Sequence, residues 1–406
     1  MTPAGRMRFT VAALLCAASV LNYADRLALS VVSVDVRREF ALSEQDYAHV
    51  VTLFLFAYAV MYAGSGYIAD RLGTKRGYAL FVAAWSAVQM LHAAAMGKWS
   101  LGGCRFLLGM AEPGNWPAAA KAVAEWFPPE QRALGMGVFN AGSAIGSAVA
   151  PPLVAWITLR YGWRAAFLAT GALGAVWLVG WLWLYRTPDH GPTTAGPTPP
   201  ADWRLVIRQR GCWTLILTRF FTDPVIYFVI FWLPEYLRKA RGFDLAMVGQ
   251  YAWVPFVFSG ASYALGGWLS GRLMRAGWRL SSARKAVMLA GACIMPAALF
   301  APFVPEAWMV IAAITLMAVG HSLWVANLQT LPADLFPSAE VGTVTGFTGM
   351  GGAVGGMLAN LGTGWVVAHF SYAPIFVLAG LMHPLSAALT YWLLPNRVFE
   401  ARLTNR

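Results

Sequence analysis

Charge is scarce in this chain: Asp, Glu, Lys and Arg make up only 12% of its 406 residues, while 58% are hydrophobic. A soluble domain carries about a quarter of its residues charged, so at a mean hydropathy of +0.56 the chain requires lipid as its solvent. Histidine is scarce as well, with six residues in all. His92, His321 and His383 fall on different apolar runs, which leaves no histidine-rich metal centre and no nucleophile–base pair at one depth, and so excludes a membrane-embedded hydrolase. The four cysteines, Cys16, Cys104, Cys212 and Cys293, lie in or beside apolar runs without paired spacing. That removes a disulfide framework and a zinc site and leaves small packing residues. Acids are outnumbered, 18 against 30 Lys and Arg, for a net charge of +12. The bases sit in short gaps between apolar runs, where they set membrane topology, so no nucleic-acid partner is expected.

What the chain has in abundance is apolar runs long enough to span a bilayer. They read as spans near 9–34, 47–69, 77–96, 99–123, 132–157 and 163–186, then 213–238, 245–274, 284–304, 307–331, 341–368 and 373–394. The N-terminal run resembles a signal peptide, but it continues past Leu21 and no A-x-A site closes it, so it reads as an uncleaved first span. Between the sixth and seventh runs lies RTPDHGPTTAGPTPPADWRLVIRQR, whose Pro, Gly and Thr content marks a linker. The expected organisation is therefore a six-helix bundle over 1–186, a linker over 187–212, and a second six-helix bundle with a short tail over 213–406. Lys and Arg outnumber those on the opposite side about two to one on the side holding both termini and the linker, which places these in the cytoplasm.

The halves also resemble each other. EWFPPEQRALGMGVFNAGSAIG aligns without gaps on DLFPSAEVGTVTGFTGMGGAVG, pairing Gly137 with Gly346, Gly142 with Gly351 and Gly146 with Gly355, and Phe167 falls on Phe376 in the same register. Duplication accounts for a constant offset better than chance does. The expected fold class is thus all-α and polytopic: twelve transmembrane helices in two pseudo-symmetric halves that rock about a midplane site, the major facilitator arrangement. GYIADRLGTKR, from Gly66 to Arg76, matches that superfamily's signature G-x-x-x-D-R-x-G-x-K/R-K/R. Gly66 permits close helix approach, Asp70 can face a helix N-terminus, and the bases hold the loop at an anionic leaflet. The resemblance implies a gating role for Asp70 and Arg71, with the start of span eleven near Val341 and Gly342 as the dipole partner.

LNYADRLALS places Asp25 and Arg26 side by side within the first span. Each costs about 2.5–3.5 kcal/mol at a helix centre, and neighbours on a helix point about 100° apart, so each needs a partner elsewhere. Span four offers them: Arg105 and Glu112 are seven residues apart and share a face, with Asn115 one turn further. Two readings remain open from the residues alone, salt bridges that fix packing or a titrating anion site. Arg219 and Asp223, spaced i, i+4, can neutralise each other on one helix. Lys121 and Glu125, also i, i+4, are expected to snorkel to the surface and stay outside the site.

NYADR, the Arg105 to Glu112-Pro-Gly-Asn run, KAVAEWFPPEQRALGMGVFNAGS, TRFFTDPVIYFVIFWLPEYL and HSLWVANLQTLPADLFP together resemble the anion:cation symporter family. The likeness is greatest to bacterial hexuronate and galactonate transporters, with vesicular glutamate transporters and sialin more distant. It implies that Arg26 and Arg105 bind a substrate carboxylate, that Asp25 and Glu112 carry coupling protons, and that Tyr23 and Tyr58 contact a sugar acid. Asn140 and Ser143, one turn apart on span five, are candidates for hydroxyl recognition. Trp324 and Asn327 on span ten suit the apolar face and the hydroxyls of a sugar ring, and Asn360 on span eleven is a further candidate. His321 reads either as a proton relay or as a hydrogen-bonded structural residue. The expected function is a proton-coupled sugar-acid importer of the bacterial inner membrane, a monomer with no cofactor beyond the coupling proton. Open alternatives are a symporter for an aromatic or dicarboxylic acid and a substrate-sensing receptor on the same fold.

Overall fold

The computed structural model describes residues 3–188, 202–243, 247, 251 and 253–394. Residues 189–201 of the expected 187–212 linker, the opening of the 245–274 span and the tail after 394 lie outside the described residues. Among the described residues there are helices and turns but no strands, as required of a chain that must satisfy its backbone hydrogen bonds within lipid. The helices are α1 Pro3–Val31, α2 Ser33–Glu39, α3 Glu44–Leu72, α4 Thr74–Leu91, α5 Lys98–Ala111, α6 Asn115–Trp126, α7 Pro129–Tyr161 and α8 Trp163–Leu184. They continue as α9 Trp203–Arg208, α10 Arg210–Lys239, α11 Val254–Arg275, α12 Leu280–Ile294, α13 Ala307–Leu328, α14 Leu331–Leu335, α15 Val341–His369 and α16 Ala373–Leu393.

Among the described residues, eight segments are long and apolar enough to cross a membrane, including Gly5–Val31, Pro129–Tyr161 and Ala307–Leu335. The expected fourth span folds as two helices, α5 and α6, joined by a 3-10 turn at Glu112–Gly114. Pro113 removes one backbone donor and Gly114 lies tight against the Phe81 ring, so the sequence breaks the helix where it carries its acid. Large apolar side chains such as Val176, Val179 and Trp183 on α8 are mostly exposed, as a lipid-facing surface demands.

Contacts divide the chain into two compact units. The first comprises Met1–Trp126, Val138–Val206 and Pro337–Met350; the second comprises Phe127–Gly137, Ile207–Phe336 and Gly351–Arg406. In the first unit α3 packs on α5, α4 on α8, and α1 on α8 and α6. There α7 approaches α1 closely because Gly142 and Gly146 face the Cys16 and Val20 carbonyls, where a side chain would collide. Gly73, at φ 74°, turns the chain between α3 and α4, a backbone angle that side chains disfavour. In the second unit α11 packs on α13, α12 on α13, and α10 on α16.

Candidate functional site

In the first unit, Arg26 of α1 reaches Glu112 on the 3-10 turn. Its Nε and Nη2 donate to Glu112 Oε2 at 3.0 and 2.8 Å, and Nη2 lies 3.4 Å from Asn22 Oδ1. Four rings surround the guanidinium: Tyr58 at 4.7 Å, Tyr23 at 5.1 Å, Phe54 at 5.6 Å and Trp116 at 5.7 Å from its carbon. An aromatic cage holds a cation through ring quadrupoles while leaving its donors available to an anion. Glu112 is fully buried and its second oxygen, Oε1, has no hydrogen-bond partner.

Asp25 is fully buried as well. Neither of its carboxylate oxygens meets a donor at hydrogen-bond geometry, although the Thr170 hydroxyl, Arg105 and Glu112 act on the group from nearby. Arg105 sits over the Phe54 ring at 5.8 Å; its Nε and Nη2 are buried without partners. The charges of Glu112, Asp25 and Arg26 all bear on it. Two acids and two bases therefore share one buried neighbourhood, with one ion pair closed and the other two groups unpaired. Such a set is costly unless ligands or protons complete it.

Ser143 folds its hydroxyl back onto the Asn140 carbonyl at 2.6 Å, and Asn140 is buried on α7. In the second unit, Asn327 donates to the carbonyls of Gly266 and Leu323 at 3.2 and 3.1 Å, fastening α13 to α11. Asn360 accepts from the Trp232 indole at 2.7 Å. Trp324 is fully buried and meets His383 edge-on at 5.6 Å. His321 lies 3.1 Å from His383 across the α13–α16 interface, so two histidines that sequence spacing left apart form a pair. Arg219 and Asp223 close on each other along α10 at 2.6 Å.

Asp70 ends α3 against the first turn of α15, accepting from Gly342 N at 3.0 Å and from Thr343 N and Oγ1 at 2.6 and 2.7 Å. A carboxylate at a helix N-terminus is favoured by the aligned peptide dipoles. Lys121 corrects the sequence reading: it is buried and bonds Asp70 Oδ1 at 2.9 Å instead of snorkelling outward. Its expected partner Glu125 takes the hydroxyls of Thr74 and Tyr185. Arg71 is exposed and lies over the Tyr67 ring at 5.5 Å.

Phe54 and Trp116 in the cage, the contact of Lys121 with Asp70, and the pairing of His383 with His321 are not among the sequence expectations. Phe54 was within reach, since it lies one turn before Tyr58 on the same face. The rest depend on tertiary packing.

Comparison with known proteins bears on this arrangement. The Major Facilitator Superfamily profile matches residues 15–283 and 274–405. A hexuronate transporter of Escherichia coli is 30% identical over 413 residues, covering 96% of this chain and 95% of its own. A D-galactonate transporter from another Escherichia coli strain is 26% identical and covers 97% of both. A solved proton:xylose symporter bound to 6-bromo-6-deoxy-D-glucose superposes with a TM-score of 0.77 over 96% of both chains at 14% identity.

Proposed function

The chain belongs to the Major Facilitator Superfamily, and on that premise we propose that it imports a sugar-acid anion together with protons by alternating access. The family and the named relatives are transporters, so this is a multi-pass membrane transporter and not an enzyme. The cargo on this reading is a hexuronate such as galacturonate or glucuronate, or an aldonate such as galactonate. The protein works as a monomer in a bacterial inner membrane with both termini in the cytoplasm.

One observation carries the reading: the caged Arg26 guanidinium is held by a single oxygen of Glu112, a carboxylate that a substrate carboxylate can replace. Protonation of Glu112 turns a charge-assisted pair into a weaker one and leaves Arg26 free to grip an incoming anion bidentately. Arg105, buried with unpaired donors in the same neighbourhood, offers a second grip. Asp25 takes a proton of its own, and the occupied site approaches neutrality, which lowers the cost of closing it away from water. Loss of protons on the other side restores the Arg26–Glu112 pair and expels the anion. Tyr23, Tyr58 and Trp116 supply apolar faces for the C–H side of a sugar ring.

The test is uptake by proteoliposomes under an inward proton gradient, with labelled D-glucuronate, D-galacturonate and D-galactonate. The expected result is accumulation of at least one of them, collapsed by a protonophore and abolished by Arg26→Ala. Accumulation indifferent to the gradient would overturn proton coupling.

A further inference from the structure

Behind Asp25, where α1, α4 and α8 pack together, the first unit collects buried polar atoms that have no protein partner: both Asp25 carboxylate oxygens, Gln89 Oε1 and His92 Nε2. Asp25, Gln89 and His92 are wholly buried and Thr170 nearly so. Buried polar atoms in such a cluster are ordinarily satisfied by internal water.

The hydrogen bonds give the cluster a direction. The Gln89 amide donates to the Asp25 carbonyl at 3.3 Å and to Thr170 Oγ1 at 2.9 Å, which leaves its own oxygen as an open acceptor. Thr170 accepts that bond, and its hydroxyl reaches the Phe167 carbonyl only at 3.5 Å, a long, weak bond from which the hydroxyl hydrogen can rotate towards the Asp25 carboxyl group. Just past the end of α4, where a 3-10 turn begins, His92 Nδ1 lies 2.8 Å from the Val88 carbonyl. A carbonyl only accepts, so the ring hydrogen sits on Nδ1 and Nε2 presents a lone pair. Stacking on Phe167, at 4.9 Å and 7°, fixes the ring, and Phe167 stands one turn before Thr170 on α8. Just beyond His92, Arg164 donates to the carbonyls of Ala93 and Ala95 at 3.1 and 3.2 Å and pairs with Glu39 at the exposed rim. The charges facing this file are Arg105 from α5, on both His92 and Asp25, and Glu112 on Asp25.

We infer that His92, Gln89 and Thr170 form a proton-entry path to Asp25, opening at the 93–97 loop and separate from the ring-lined face on which Arg26 receives its anion. His92 Nε2 takes a proton from water at the loop and passes it through bridging water to the Asp25 carboxylate. The imidazole returns to its neutral form, and Asp25 becomes the acid. Gln89 and Thr170 position the carboxylate and the bridging water. The inference rests on the reading of Asp25 as a proton carrier.

Thr170→Val keeps the side-chain shape and removes the hydroxyl, and His92→Phe keeps the stacking and removes the lone pair. In proteoliposomes, with whichever of D-glucuronate, D-galacturonate and D-galactonate the wild type accumulates, both variants slow gradient-driven uptake about tenfold. Both leave counterflow exchange within about twofold, Thr170→Ser restores the rate, and the pH profile of uptake shifts in His92→Phe. Variants that lose counterflow to the same degree as driven uptake, or that keep the wild-type rate and pH profile, overturn the path. Asp25→Asn separates the two readings: if it retains gradient-driven accumulation, the proton role of Asp25 fails and the path fails with it. If it loses accumulation while the path variants behave as wild type, only the path is lost.

Discussion

Arg26 bonds Glu112, 86 residues away, and not Asp25, its neighbour in the chain. Adjacent helical residues diverge, so the two charges of one short run serve two different environments: a ring-lined cage for the base and a file of amide, hydroxyl and imidazole groups for the acid. On the proposed function, coupling needs no long-distance signal between proton and anion, because Glu112 and the substrate would compete for the same guanidinium.

Glu112→Gln removes the competitor's charge and keeps its shape. Counterflow of the labelled sugar acid is expected to persist while gradient-driven accumulation falls at least about tenfold, a split that transport assays read directly. Accumulation at the wild-type level would remove Glu112 from the coupling.

Arg26→Lys retains the positive charge but cannot donate two parallel hydrogen bonds from within the four-ring cage. Half-saturating substrate concentration is expected to rise about tenfold or more, measured by initial rates over a concentration series.

Lys121→Met leaves Asp70 buried with only the helix donors of Gly342 and Thr343. Loss of one member of a buried pair costs about 3–5 kcal/mol, so thermal unfolding in detergent should begin at a clearly lower temperature. Replacing both, as Asp70→Asn with Lys121→Met, should recover part of that loss.

Asp46 stands outside the spans, where Lys98 and Ser43 hold its carboxyl well below the usual range. Because the folded value is the depressed one, the pair's contribution is complete above the unfolded value of about 3.9 and disappears only as pH falls through the folded value. Asp46→Asn should therefore leave the pH profile of uptake between about pH 5 and 8 unchanged. A shifted profile would move part of the pH response to the rim.

Much of the first unit's site was legible in the sequence, because charged residues in an apolar run are too costly to be incidental and their helical spacing fixes a shared face. Arg219 and Asp223 were legible for the same reason, since i, i+4 spacing alone decides their contact. The fate of Lys121 was not: snorkelling and burial differ only in whether an acid from another helix end lies within reach, and Asp70 does. Nor was the His321–His383 pair, whose members come from helices 62 positions apart that meet only through tertiary packing. The kink at Glu112–Gly114 could be foreseen from Pro113, but its effect, a carboxylate carried on a turn between two shorter helices, is a matter of three-dimensional placement.

That Arg219 and Asp223 close on one another within a single helix leaves α10 formally neutral along its length there, with no charge on offer to cargo. On the proposed function, an engineer wishing to retune this carrier from anions towards neutral sugars would leave that pair alone. The lever is the guanidinium on α1 and the broken helix that faces it.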